Sequence, residues 1–158
     1  TRYALSEQQQ TLLNTLLAID PHLIVILNNG TAVMFDQLEE VETLVEVWLA
    51  GQAMGEALVK ILFGEVNPSG KLAETFPLHE RDFPLSTTVK SSHQKIVYGE
   101  SVLVGHRYYD FRQLPVAFPF GHGLSYTQFR YSDLNISESV INSQQTFEIK
   151  FKDRKSVV

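Results

Sequence analysis

The sequence predicts an α/β fold, a layered α/β sandwich on a mostly parallel sheet followed by the truncated start of a β-sandwich. Three observations predict it. Residues 22–27 and 43–49 are short apolar runs that close on turn residues, as strands buried on both faces do. The segments flanking them carry apolar residues at helical spacing. Beyond Thr127 the pattern changes to period-two alternation, the mark of half-exposed strands.

The elements follow in order. Ser6 and Gln9 form a capping box ahead of Leu12, Leu13, Leu16 and Leu17, and Pro21 closes that helix. The first strand ends at Asn28-Asn29-Gly30 and the second at Gly51. Between Gly51 and Gly64, the residues Met54, Ala57, Leu58, Ile61 and Leu62 fall at i, i+3, i+4, i+7 and i+8, a one-sided helix expected to pack on a sheet. Gly64 is placed to end it, and Asn67-Pro68-Ser69-Gly70 reads as a turn. Residues 72–76 suit a further short strand. Residues 77–95 read as a polar, irregular loop, long for a compact domain. An aromatic-rich segment from Tyr98 to Tyr131 follows, then alternation over residues 129–136 and 146–151. The expected boundary lies at 127/128, with the chain expected to stop after the second alternating strand, before the next turn and strand of the β-sandwich.

Composition narrows the function. With 13 Lys and Arg against 18 Asp and Glu, the formal net charge is -5, so no nucleic-acid partner and no anionic membrane partner is expected. There is no Cys, which excludes disulfides, thiolate metal sites and a Cys nucleophile. No run approaches the roughly 18 apolar residues of a membrane span. The opening Thr1-Arg2-Tyr3 resembles neither a signal peptide nor a start, and a chain cut from something longer is expected. Neither feature fixes a compartment.

Several motifs resemble a known family. Trp48-Leu49-Ala50-Gly51-Gln52-Ala53-Met54-Gly55-Glu56-Ala57 is similar to the segment of family 3 glycoside hydrolases in which a strand end passes through Gly-Gln into a helix. Leu62-Phe63-Gly64-Glu65-Val66-Asn67-Pro68-Ser69-Gly70-Lys71-Leu72, Phe76-Pro77, Val104-Gly105-His106-Arg107-Tyr108-Tyr109-Asp110 and Phe118-Pro119-Phe120-Gly121-His122-Gly123-Leu124-Ser125-Tyr126-Thr127 match that family's later segments in order. The chain departs from it at His106, where Tyr is usual, and at Ser101, where Gly is common and a positive φ would strain the substitute. The resemblance is to the β-glucosidase type. It implies the α/β sandwich domain that follows a catalytic barrel (1–127), then the start of a fibronectin-type-III-like domain (128–158).

What the resemblance implies for chemistry is mostly an absence. Retaining hydrolysis needs two carboxyl groups roughly 5–5.5 Å apart. In the family the nucleophile is an Asp of the barrel, supplied in cis by the missing N-terminal domain. The acid/base is a Glu in a loop that would fall just before Thr1. No catalytic residue is therefore assigned here, no metal and no cofactor is expected, and the isolated chain is expected to be inert toward a β-glucoside or oligosaccharide.

Glu100 is the one candidate substrate-binding residue, as a hydrogen-bond partner for a sugar hydroxyl on the rim formed by residues 77–104. The competing reading, given more weight, pairs Glu100 or Asp110 with Arg107. Glu39, Glu40 and Glu42 read as a solvated connection, and Glu56 as a complement to its helix dipole. The five His residues, His22, His79, His93, His106 and His122, show no ligand spacing. Gly121-His122-Gly123-Leu124-Ser125 is not a nucleophile elbow, and its glycines suit a tight crossing. Gly51 and Gly55 are expected to permit close helix packing rather than to bind an anion. The exposed-aromatic alternative, a non-catalytic carbohydrate-binding or structural module, would place rings on one sheet face; an interdomain core is favoured.

Overall fold

A computed structural model of the chain describes residues 3–34, 38–84, 89–92 and 95–157, with residues 39, 89–92, 95–98 and 157 described by their backbone. Helix α1 spans Glu7–Ile19 and begins at the capping box: the Ser6 hydroxyl accepts from Gln9 N (3.3 Å), and Ser6 N donates to Gln9 Oε1 (2.9 Å). It ends at Asp20, whose extended backbone is the conformation a following proline imposes.

Strands β1 (Ile24–Leu27) and β2 (Thr43–Glu46) pair in parallel, Ile24 opposite Thr43 and Leu27 opposite Glu46. A further parallel bridge joins Ala4 to Met34. Because side chains alternate along a strand, Val25, Leu27 and Leu44 turn to one face. There they pack with Leu13 and Leu17 of α1 and with Leu5, Leu23, Leu38 and Val41. The expected burial of β1 on both faces is not met, since Ile24 and Ile26 stay exposed. The expected run of β2 to Leu49 also stops early. Trp48 adopts φ 50° and leaves the extended region, its N–H held by Glu46 Oε1 at 2.7 Å.

Helix α2 (Met54–Leu62) is amphipathic as its spacing predicts, with Gly64 at φ 77° just past its end. It buries none of its residues, and Asn28, just past the end of β1, reaches it with a contact from Nδ2 to Met54 Sδ. A Cβ on Gly51 or Gly55 would meet nothing within 4 Å, so the expected close packing is not made. The strand expected at 72–76 is displaced to β3 (Phe76–Pro77), antiparallel to β6 (Val116–Phe118). Pro77 has no N–H to carry the ladder further.

The stretch expected to be irregular contains a 3-10 turn (Glu80–Asp82) and a hairpin of β4 (Val89–Ser92) with β5 (Lys95–Tyr98). Helix α3 (His106–Arg112) was invisible to periodicity because it is only 7 residues long. Finally β7 (Thr127–Ile136) pairs antiparallel with β8 (Ile149–Val157). The second alternating strand, expected over residues 146–151, is shifted to 149–157, with Val157 opposite Thr127 and Asp153 opposite Tyr131. Val158 and His93 lie outside the described residues.

A second core cluster joins these parts. Ala32, Phe76 and Phe83 are buried among Tyr3, Met34, Trp48, Leu72, Ala117 and Phe118. Tyr3 stacks on Phe83 with ring centroids 4.1 Å apart.

Candidate functional site

Residues 99–123 carry the candidate groups. Gly105 at φ 62° opens α3, and Gln113 in the left-handed region closes it. Ser101, where the family commonly has Gly, does sit at φ 54°, a conformation costing an L side chain on the order of 1 kcal/mol. Glu100 precedes it in the same turn and is buried, 7% exposed, with its carbonyl accepting from Leu103 N at 3.0 Å. Arg107 is held by the backbone of the preceding turn. Its Nη1 donates to the Val102 carbonyl (3.4 Å), and no ion pair joins it to Asp110 among the described residues.

A hollow of about 260 Å³ opens between α3 and residues 114–120. Thr75, His106, Tyr109, Asp110 and Phe120 line it with Leu114, Val116 and Pro119. Glu100, the residue singled out from the sequence, is not part of that wall; Asp110 is. The Thr75 hydroxyl is fixed by accepting from Phe120 N at 3.1 Å. His106 lies flat against Phe120, centroids 4.5 Å apart and planes 17° from parallel. So the residue that departs from the family pattern forms one side of a ring stack.

Tyr109 is 5% exposed. Burial pushes its phenol up to about 12, with Asp82, then Glu74 and Tyr108, adding to the effect. The sequence offered one signal for it, its place in the Arg107-Tyr108-Tyr109-Asp110 run. Phe120 had a similar signal, its place in the Phe118–Thr127 motif, whereas nothing in the sequence pointed to Thr75.

The remaining candidates have ordinary structural partners. Glu42 pairs with His22 at 2.9 Å, which raises the imidazole pKa, first through that hydrogen bond and then through the carboxylate charge. Glu56 pairs with Lys60 one turn on, at 2.6 Å. Glu40 is exposed, and the Glu39 side chain lies outside the described residues. His122 leans on Phe118. Among the described residues no three His, Asp or Glu side chains gather as metal ligands would. No helix there is long and apolar enough to cross a membrane.

Gly123 confirms the tight crossing. Any Cβ on it would overlap the Gly70 carbonyl oxygen, and the Lys71 ammonium donates to Gly123 O. Asn67 fastens the same two segments. Its Nδ2 donates to Thr127 Oγ1 (2.8 Å), and its Oδ1 accepts from Ser125 Oγ (3.1 Å) and Tyr126 N (3.0 Å).

An α/β layer followed by this crossing and an antiparallel ribbon defines the class. Residues 1–126 match the model of the glycosyl hydrolase family 3 C-terminal domain, and the chain belongs to that family. Thermostable β-glucosidase B of Acetivibrio thermocellus is 38% identical over 152 residues, 96% of this chain and 20% of that protein. A β-glucosidase of Kluyveromyces marxianus is 38% identical over 140 residues, 87% of this chain and 17% of its own. The chain thus spans about a fifth of the length of these relatives. Among solved structures, β-glucosidase 3B from Thermotoga neapolitana in complex with α-D-glucose superposes with a TM-score of 0.83 at 36% identity, over 97% of this chain and 22% of that one. A β-glucosidase from Streptomyces venezuelae in complex with D-glucose gives 0.86 at 33%, over 98% and 20%.

Proposed function

We propose that this chain is part of a retaining exo-β-glucosidase, which removes terminal β-D-glucosyl residues through a covalent glycosyl-enzyme intermediate. The observation that carries the reading is the close superposition on two β-glucosidase structures that hold glucose, at sequence identities above 30%. In this reading residues 1–127 form the α/β sandwich domain and 128–158 open a fibronectin-type-III-like domain. The longer chain supplies the barrel, with both catalytic carboxylates lying outside residues 1–158.

The chemistry of the hollow agrees with that division. Retention needs two carboxyl groups roughly 5–5.5 Å apart, and among the described residues the hollow is lined by a single one, Asp110. Glu100 takes the part of a rim residue that accepts a hydrogen bond from a substrate hydroxyl. The test is aryl-β-glucoside hydrolysis, with the anomer of the first-formed glucose followed by NMR. The full-length enzyme should release β-glucose and the 158-residue chain should release none. Turnover by the short chain would overturn the division of labour, and α-glucose as first product would overturn retention.

A further inference from the structure

The hollow beside α3 contains a polar group the fold itself leaves unused. Tyr109 is almost fully buried and lines it, yet among the described residues no hydrogen bond reaches its hydroxyl. A buried hydroxyl without a partner is costly, and native structures place water or a ligand group against it. The space suffices for more than one water, which needs only about 30 Å³ of liquid volume.

The walls select what fits. His106 and Phe120 present a rigid stacked pair, and an apolar ring face is the surface a sugar's C–H face lies against. Asp110 supplies a carboxylate that accepts from hydroxyl groups, and Thr75 a hydroxyl already positioned by Phe120 N. Asp82 and Glu74 lie close enough to act electrostatically on the phenol. With Asp110 they make the surroundings negative, which disfavours a phosphate or carboxylate.

We propose that this hollow binds a neutral monosaccharide ring, with the Tyr109 hydroxyl and the Asp110 carboxylate as its polar anchors. Recognition rests on the hollow's own groups and is independent of which glycoside the longer chain cleaves. Hydrolysis is not measured in the test, so its failure is distinct from a failure of the proposed function.

The test is titration of the 158-residue chain with D-glucose, followed by amide ¹H–¹⁵N NMR, with glycerol and sodium phosphate as separate arms. Saturable shifts confined to Thr75, His106, Tyr109, Asp110 and Phe120 are expected with glucose, weaker ones with glycerol and none with phosphate. Tyr109→Phe removes only the unpartnered hydroxyl, so it should keep the fold and weaken glucose binding roughly threefold to tenfold. Asp110→Asn tests the second anchor and should also weaken it. Absence of saturable shifts would leave the hollow as a water site and overturn the proposal. So would unchanged affinity in Tyr109→Phe, or a preference for phosphate.

Discussion

Glu46 holds the end of a parallel strand in a conformation the backbone does not favour. One carboxylate oxygen accepts from Trp48 N (2.7 Å) and the other from Asn29 Nδ2 (3.3 Å), pinning a tryptophan at φ 50°. Bulky residues rarely occupy that region, at a cost of order 1–3 kcal/mol. Burial raises the Glu46 pKa above the ordinary carboxylate value. The two hydrogen bonds act against this, and the charge of Glu74 adds to it. A carboxyl whose folded value is raised binds its proton more tightly when folded. Its contribution to stability is therefore complete below the unfolded pKa and is lost as pH rises through the folded one. Chemical unfolding followed across the acid range should show that decline, and Glu46→Gln, which cannot ionise, should flatten it. An unchanged slope would mean the group titrates as an exposed glutamate does. None of this was legible beforehand. The sequence showed an apolar run ending near Gly51, and no local pattern marks where a strand turns left-handed two residues after a glutamate.

At the scale of elements, legibility followed length. The 13-residue α1 and its capping box could be read directly, and so could the spacing of α2, because several turns of helix repeat the pattern. Helix α3, with fewer than two repeats, shows in the sequence as a motif and carries no helical period. The β4–β5 hairpin was hidden in a stretch without apolar alternation. The crossing near residue 123 was legible from its glycines, and it yields a sharp prediction. Gly123→Ala drives a methyl into the Gly70 carbonyl, a backbone atom that cannot rotate aside. Loss of about 1–3 kcal/mol of unfolding free energy is expected. Gly55→Ala is the control. It has open space and lies inside α2, so it should gain about 0.5–1 kcal/mol in the same urea titration. If both changes were neutral, the close approach of residues 70 and 123 would be wrong.

For the molecule as a whole, surface area decides. A compact monomer of this mass would expose roughly 8,000 Å², whereas this 17.9 kDa chain exposes 12555 Å². The excess is apolar in several places. Ile24 and Ile26 lie on the sheet face that α1 does not cover, Phe63 follows α2 almost bare, and Phe129, Tyr131 and Phe151 are exposed on the β7–β8 ribbon. The continuous apolar run that predicted burial on both faces of β1 was a correct record of hydrophobicity. Hydrophobicity states which residues favour burial, and the partner that covers them lies outside the pattern. Apolar surface of this extent drives association. Sedimentation velocity of the isolated chain should therefore show weight-average size rising with concentration. Ile24→Lys should lower that association while changing unfolding free energy by no more than about 0.5 kcal/mol, as expected for an exposed position. Leu27→Ala, on the covered face of the same strand, should instead cost about 2–5 kcal/mol. A chain that stays monomeric at every concentration, or an Ile24 variant as unstable as Leu27→Ala, would show that the open face is covered from within the chain after all.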